Sequence, residues 1–166
     1  MNRVLFHKDE IDSAGLVRLT GTRARHVLEV LRGRAGQKVR VGVLDGATGG
    51  GIIVEAGKSN VVLECSLDGP VPHVPKVDLL LALPRPKVMK RLWPQLAAIG
   101  VGRVVVTNAA KVERNYFDTQ WLERAHYDPL LIEGLMQSAD TLLPKVTICR
   151  RLKVFIEDEA DDLFQG

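Results

Sequence analysis

The sequence is poor in the residues that lock a chain covalently or bind metals. It holds two cysteines, Cys65 and Cys149, each alone among apolar neighbours. A disulfide framework or a cysteine-rich metal site needs more of them at short spacing, so two reduced, buried thiols in a cytosol-like compartment are expected. The four histidines, His7, His26, His73 and His126, are scattered, and none has a partner at metal-ligand spacing. Apolar runs such as Val77 to Pro84 are too short to span a bilayer. The opening Met1-Asn2-Arg3-Val4-Leu5-Phe6 has no long apolar core of the secretory kind, and Asp9, Glu10 and Asp12 are too acidic for a transit peptide. Walker A, G-x-S-x-G, H-E-x-x-H and paired-cysteine patterns are all missing. Four glycines fall between Gly46 and Gly51, but they follow a turn signal and open no helix, so a hairpin loop is expected there rather than a phosphate cradle.

What is present is globular: 46% hydrophobic and 26% charged residues over 166 positions, enough for one ordinary domain or two small ones. The net charge is only +3, yet the charges are unevenly placed. Leu19 to Arg40 carries six bases (Arg23, Arg25, Arg32, Arg34, Lys38, Arg40) against Glu29 alone. Arg85 to Arg91 carries Arg85, Lys87, Lys90 and Arg91 with no acid, whereas Glu157, Asp158, Glu159, Asp161 and Asp162 make an acidic end. Two basic clusters point to an anionic partner touched at two places.

The hydrophobic pattern changes partway. Arg3 to Phe6 reads as a short strand, and Thr22 as the N-cap of a helix whose Ala24, Val27, Leu28 and Leu31 face a core. Arg25 and Glu29 stand at pairing distance on another face, and Gly33 and Gly36 close the helix. Lys38 to Val43 alternates basic and apolar as a half-exposed strand does. Asp45-Gly46, Gly49 to Gly51 and Ser59-Asn60 read as turns around Ile52-Ile53-Val54 and Val61 to Cys65, which together suggest a small β-barrel. Three prolines in Gly69 to Pro75 mark a linker. Beyond it, Val77 to Leu83, Arg103 to Thr107 and Val146 to Cys149 read as strands buried on both faces. They alternate with helices over Pro86 to Ile99 (kinked or restarted at Pro94), Trp121 to Ser138 (broken near Pro129) and from Leu152. That alternation defines a parallel α/β sheet. The expected domains are residues 1–70 as barrel, 71–76 as linker and 77–166 as α/β.

Several segments suit phosphate. The Thr22–Arg40 stretch reads either as an amphipathic helix with a solvated basic face or as an RNA surface, and arginine's planar fork favours the second. Arg85 and Lys87 crowd a strand-to-helix turn, where bases oppose the helix dipole unless an anion joins them. Lys111 and Arg114 flank a loop with Tyr116 and Phe117, aromatics that stack on a base or anchor the loop.

In order, Leu19-x-Gly21, His26-Val27-Leu28, Val30-Leu31-Arg32, Gly36, Val39, Asp45-Gly46, Leu83-Pro84-Arg85-Pro86-Lys87, Ile99-Gly100-Val101, Glu133 to Ser138 and Pro144-Lys145-Val146 resemble the RsmE-type rRNA methyltransferases across almost the whole chain. The resemblance implies a PUA-like barrel, with His26, Arg32 and Gly36 at family positions, followed by a SPOUT-type α/β domain. It implies transfer of a methyl group from S-adenosylmethionine to N3 of a uridine in small-subunit rRNA, by a homodimer, in the cytoplasm or an organelle interior, with neither membrane nor DNA as partner. The expected RNA contacts are Arg23, Arg25, His26, Arg32, Arg34, Arg40, Arg85, Lys87, Lys111 and Arg114; no catalytic group is assigned. The family's K-A-T-E-L-G run is here Gln95 to Gly100, without its Lys and Glu, and Asp140 stands where the family has an arginine. Its G-P-E-G-G loop and L-G-x-R-I-L-R run, which build the C-terminal knot and hold the cofactor, do not occur. The expectation is therefore the RNA-binding domain and the first half of the catalytic domain, with no cofactor bound to this chain. A fragment or splice form, a shortened relative without methyl transfer that binds RNA or assists ribosome assembly, and an adaptor whose open sheet is completed by another chain all remain readings.

Overall fold

The computed structural model describes residues 3–73 and 77–164. The chain divides into two compact units, Met1–His73 with Leu135–Leu142, and Val74–Gly134 with Leu143–Gly166. The expected linker ends outside the described residues at 74–76, and 71–73 have no regular structure. Where the sequence suggested that everything after the linker forms one domain, Leu135–Leu142 packs with the first unit. The ties there are Arg3 N–H to the Met136 carbonyl at 3.1 Å, Asp45 N–H to the Thr141 carbonyl at 2.8 Å, and the buried Thr141 hydroxyl to the Gly46 carbonyl at 2.7 Å.

The first unit is a curled five-stranded half-barrel. Its strands are β1 (Val4–Phe6), β2 (Leu16–Thr20), β3 (Lys38–Val43), β4 (Thr48–Ala56) and β5 (Asn60–Ser66), in the order β1-β3-β4-β5-β2. β1 runs parallel to β3 and the remaining pairs are antiparallel. Inward residues Phe6, Val17, Leu19, Val41, Ile53, Val61 and Leu63 make the core, and helix α1 (Gly21–Arg25), continued by a wider π-type turn (His26–Val30), plugs it with Ala24 and Val27. Leu28 and Leu31 pack against that core, as the helical spacing requires.

Four local readings are corrected. The N-cap is Thr20, extended at the end of β2, rather than Thr22; β2 itself is too short and polar-flanked to stand out in the sequence. Arg25 and Glu29 make no ion pair, because the π turn widens the helix so that residues four apart no longer stack. The helix ends through Arg32, not through a glycine: Leu31 N–H reaches the His26 carbonyl at 3.1 Å, and Arg32 takes the left-handed conformation at φ 51°. Gly49 to Gly51 lie inside β4; the turn is Leu44 to Ala47, where Val43 N–H meets the Ala47 carbonyl at 3.0 Å.

The second unit holds three parallel strands, β6 (Asp78–Ala82), β7 (Arg103–Thr107) and β8 (Lys145–Cys149), in that order. Only β7 is buried. β6 and β8 flank it as edges, so Leu80 is 43% and Ile148 38% exposed, against the expectation of three doubly buried strands. Helices α2 (Pro86–Ala98) and α3 (Arg124–Ser138) run through Pro94 and Pro129 without a break. A proline costs an interior helix one hydrogen bond. Here burial of Met89, Trp93, Leu96 and Ala97 along α2 offsets that loss. Trp93 is fully buried, donates from Nε1 to the Trp121 carbonyl at 2.8 Å and lies 5.1 Å from the Tyr127 ring. Gly134 of α3 sits on the Pro94 backbone, where a Cβ would come within 2.1 Å of the carbonyl oxygen. Leu152–Val154 (α4), a π-type turn (Phe155–Glu159) and Ala160–Phe164 (α5) follow β8 in succession.

Candidate nucleic-acid interface

In the first unit, all six expected contacts lie along α1, the turn after it and β3. Arg25, Arg32, Arg34 and Arg40 are exposed, and His26 is half-buried. Arg23 is different. It is half-buried and held by the Glu10 carboxylate through both terminal nitrogens, with Nη1 2.9 Å from Oε2. It also donates to the Leu5 carbonyl at 3.3 Å. Glu10 raises the pKa of Arg23 through that hydrogen bond, while burial opposes it. Arg23 therefore braces the short 3-10 turn Lys8–Glu10 against β1 instead of facing solvent phosphate.

Two basic residues outside the expected set join this surface. Lys38 opens β3 and is exposed. Arg3 precedes β1, which pairs in register with β3 from Val4↔Val41, so Arg3 and Arg40 are neighbours across two strands. Burial lowers the Arg3 pKa, the positive charge of Arg40 lowers it further, and Asp140 partly opposes them. The position of Arg3, before a strand and remote from the basic run, hid this pairing from the sequence pattern.

In the second unit the carboxyl ends of all three parallel strands carry bases. Arg85 and Lys87 follow β6 and begin α2, with Arg85 as its N-cap and Pro86 in its first turn. Lys111 and Arg114 follow β7, and all four side chains are exposed. Arg150 and Arg151 follow β8 in the same way; trailing a short apolar run, they do not stand out as a charge cluster in the sequence. Arg150 lies 5.5 Å from the Phe117 ring and donates to the Phe117 carbonyl at 3.2 Å, and Tyr116 donates to Glu113 at 2.8 Å. Phe117 is buried, so these aromatics anchor the loop.

A cofactor cradle at that same edge would need free polar groups. The Thr107 hydroxyl at the end of β7 is buried without a hydrogen-bond partner. It is a single group, however, and the polar side chains that follow β7 and β8 already have hydrogen-bond partners within the second unit. Asn108 Oδ1 accepts from Leu152 N–H at 3.0 Å, Cys149 Sγ donates to the Arg151 carbonyl at 3.4 Å, and Arg150 reaches Asp118 at 3.4 Å. A ligand combining a nucleoside with a charged amino acid needs several convergent polar groups. Among the described residues this edge offers the Thr107 hydroxyl alone as a buried, unpartnered polar side-chain group. Among them no cluster of three or more His, Cys, Asp or Glu is placed to hold a metal, and no helix is long and apolar enough to cross a membrane. Both cysteines are free thiols, half-buried rather than fully buried; burial pushes the Cys65 thiol up to about 11.

The first unit is a curled half-barrel and the second a parallel sheet whose strand ends carry bases. The model of a family described as RNA methyltransferase domain matches residues 72–165, more than half of the chain. The chain belongs to this RNA methyltransferase family. It is 28% identical over 153 residues to a ribosomal RNA small subunit methyltransferase E 1 of Borreliella burgdorferi, covering 92% of this chain and 63% of the relative. It is 24% identical over 164 residues to a ribosomal RNA small subunit methyltransferase E of Treponema pallidum, covering 93% and 59%. The chain thus spans about three-fifths of the length of these curated relatives. The fold matches a crystal structure of a ribosomal RNA small subunit methyltransferase E from Neisseria gonorrhoeae bound to S-adenosyl methionine, with a TM-score of 0.71, 17% identity, and 97% of this chain and 67% of that one covered. It also matches a "probable rRNA-methyltransferase" from Porphyromonas gingivalis, with a TM-score of 0.70, 22% identity, and 93% and 63% covered.

Proposed function

We propose that this chain is the RNA-holding portion of an enzyme that methylates small-subunit ribosomal RNA, with N3 of a uridine as the acceptor atom. The observation that carries the reading is the row of bases at the three parallel strand ends: Arg85 and Lys87, Lys111 and Arg114, Arg150 and Arg151. Ligands of open parallel sheets bind beyond the carboxyl ends of the strands, and arginines there suit a phosphate backbone. N3 of uridine is a weak acid, so methylation there needs a base or a site that stabilises the ring once the proton has left. A cationic edge serves the second requirement. S-adenosylmethionine is the methyl donor this reading implies for the complete enzyme, acting as a homodimer in the cytoplasm, and the chain by itself does not bind it.

A second reading, an RNA-binding or ribosome-assembly protein of the same ancestry without catalysis, is favoured by the hydrogen bonds that already occupy Asn108 (from Leu152 N–H), Cys149 (to the Arg151 carbonyl) and Arg150 (to Asp118) at this edge. The test measures binding to a small-subunit rRNA fragment across a salt series. Arg85→Glu with Lys87→Glu should lower affinity and reduce the salt slope by about 0.9 for each phosphate the variant no longer neutralises. Unchanged affinity removes the strand ends from the interface. A methylation assay on the longest polypeptide that contains this chain separates the two readings. Calorimetry of this chain with S-adenosylmethionine should show no heat of binding; micromolar binding would overturn the assignment of the donor site elsewhere.

A further inference from the structure

On the convex side of the half-barrel, two cross-strand rows face solvent. One is Arg40↔Gly50↔Ser66 and the next is Lys38↔Ile52↔Glu64. All six residues are exposed. Between them lies a groove of about 410 Å³, lined by Lys38, Gly50, Ile52, Glu64, Ser66 and Asp68 among others. Its two long sides have opposite charge. Lys38 and its neighbour Arg40 stand on the β3 side, reinforced by Arg3 beside Arg40, while Glu64 and Asp68 stand on the β5 side. The sides are two strand spacings apart, roughly 9–10 Å, which is the span of a nucleobase with its sugar.

The floor explains an otherwise costly glycine. Gly49 and Gly51 are required by packing, since a Cβ would meet the Ser66 carbonyl oxygen at 2.0 Å and Val41 Cγ1 at 2.8 Å. At Gly50 a Cβ meets nothing within 4 Å. Its φ is not in the left-handed region, so nothing inside the fold calls for glycine there. An exposed glycine in mid-strand weakens the strand, and close approach of an outside group is a recognised reason for one. Ile52 beside it is 39% exposed and offers an apolar surface at the same level.

We propose that this groove is a subsite for one unpaired nucleotide: Arg40 and Lys38 hold its phosphate, the base lies flat on Gly50 and Ile52, and an exocyclic amino group of the base donates to Glu64 or Asp68. Ionised carboxylates only accept hydrogen bonds. Cytosine, adenine and guanine present an amino group to such acceptors. Uracil presents one N–H between two carbonyl oxygens, which the carboxylates repel. The subsite is therefore for a nucleotide other than the methylated uridine. The inference rests on the chain being an RNA-binding protein.

The experiment is fluorescence anisotropy of the whole chain with labelled octacytidylate and octauridylate. Wild type should bind octacytidylate about fivefold or more tightly than octauridylate, the range a carboxylate reading a base amino group supplies. Gly50→Leu adds a side chain into open space, so its thermal midpoint should stay near wild type while octacytidylate affinity falls to the octauridylate level. Glu64→Gln with Asp68→Asn should abolish the preference without abolishing binding. Equal affinity of wild type for the two oligonucleotides overturns the base assignment, and undiminished octacytidylate binding by Gly50→Leu overturns the subsite. If Arg32→Glu with Arg34→Glu still weakens binding in that case, the RNA-binding reading stands without the subsite. If wild type binds neither oligonucleotide at low salt, both fall.

Discussion

Arg23 and Glu10 form a two-pronged ion pair that ties helix α1 to the 3-10 turn after β1, with Nη1 2.9 Å from Oε2. Glu10 also accepts the His7 backbone N–H at 2.7 Å. The hydrogen bond from Arg23 lowers the Glu10 pKa, burial works against it, and the His7 bond adds to it. A carboxylate held below its unfolded pKa stabilises the fold above that unfolded value, and the contribution is lost as pH falls through the folded one. Both side chains are less than a third exposed. Arg23→Ala should therefore cost about 1–2 kcal/mol near neutral pH, the scale of a charge-assisted hydrogen bond at a half-buried site. Urea unfolding between pH 7 and 3 should show the gap between wild type and variant closing below about pH 4, where carboxylates protonate. The same variant should leave the salt slope of RNA binding unchanged. A lower slope would return Arg23 to the interface.

Gly134 on α3 and the Pro94 carbonyl on α2 meet so closely that a methyl group has no room. A Cβ at Gly134 would lie 2.1 Å from that oxygen and 2.9 Å from Pro94 Cα, both backbone atoms that cannot swing aside. Gly134→Ala should destabilise the second unit by about 3 kcal/mol, at the upper end for an overpacked site, despite alanine's better helix propensity. Thermal unfolding followed at the buried Trp93 reports it. A variant within about 0.5 kcal/mol of wild type, the scale of an ordinary surface change, would show that the two helices separate at little cost.

The long-period features were legible because burial enforces them. Ala24 and Val27 are core at helical spacing, and β7 is a run of valines buried on both faces. Features set by local geometry were not. The π turn at His26–Val30 displaces the face on which Arg25 and Glu29 were expected to pair, and no residue type announces it. Leu79 to Leu81 read as a buried strand, yet burial depends on having neighbours on both sides, which the composition of one strand does not encode. The candidate site divides in the same way. The charge runs were visible as Leu19 to Arg40 and Arg85 to Arg91, whereas the bond of Arg23 to Glu10, the neighbouring of Arg3 and Arg40, and Arg150 at the third strand end arise from residues remote in sequence.

Arg32 holds a left-handed conformation where glycine is the ordinary choice. Its φ is 51°, directly after the π turn, and the next residue, Gly33, donates to the Val27 carbonyl at 2.9 Å. A long side chain at positive φ costs free energy that glycine avoids. Its exposed guanidinium recovers none of this through an ion pair among the described residues, so the strained position is consistent with an interaction made outside the chain. Arg32→Gly should raise stability by about 0.5 kcal/mol, the relieved strain being partly offset by the greater freedom of the unfolded chain. It should at the same time weaken binding to small-subunit rRNA and lower the salt slope by about 0.9, the share of one neutralised phosphate. Urea midpoints and a salt-dependent anisotropy series on the same preparation measure both effects. A more stable variant with undiminished RNA affinity would reduce Arg32 to a solvated charge and leave its backbone strain unexplained by binding.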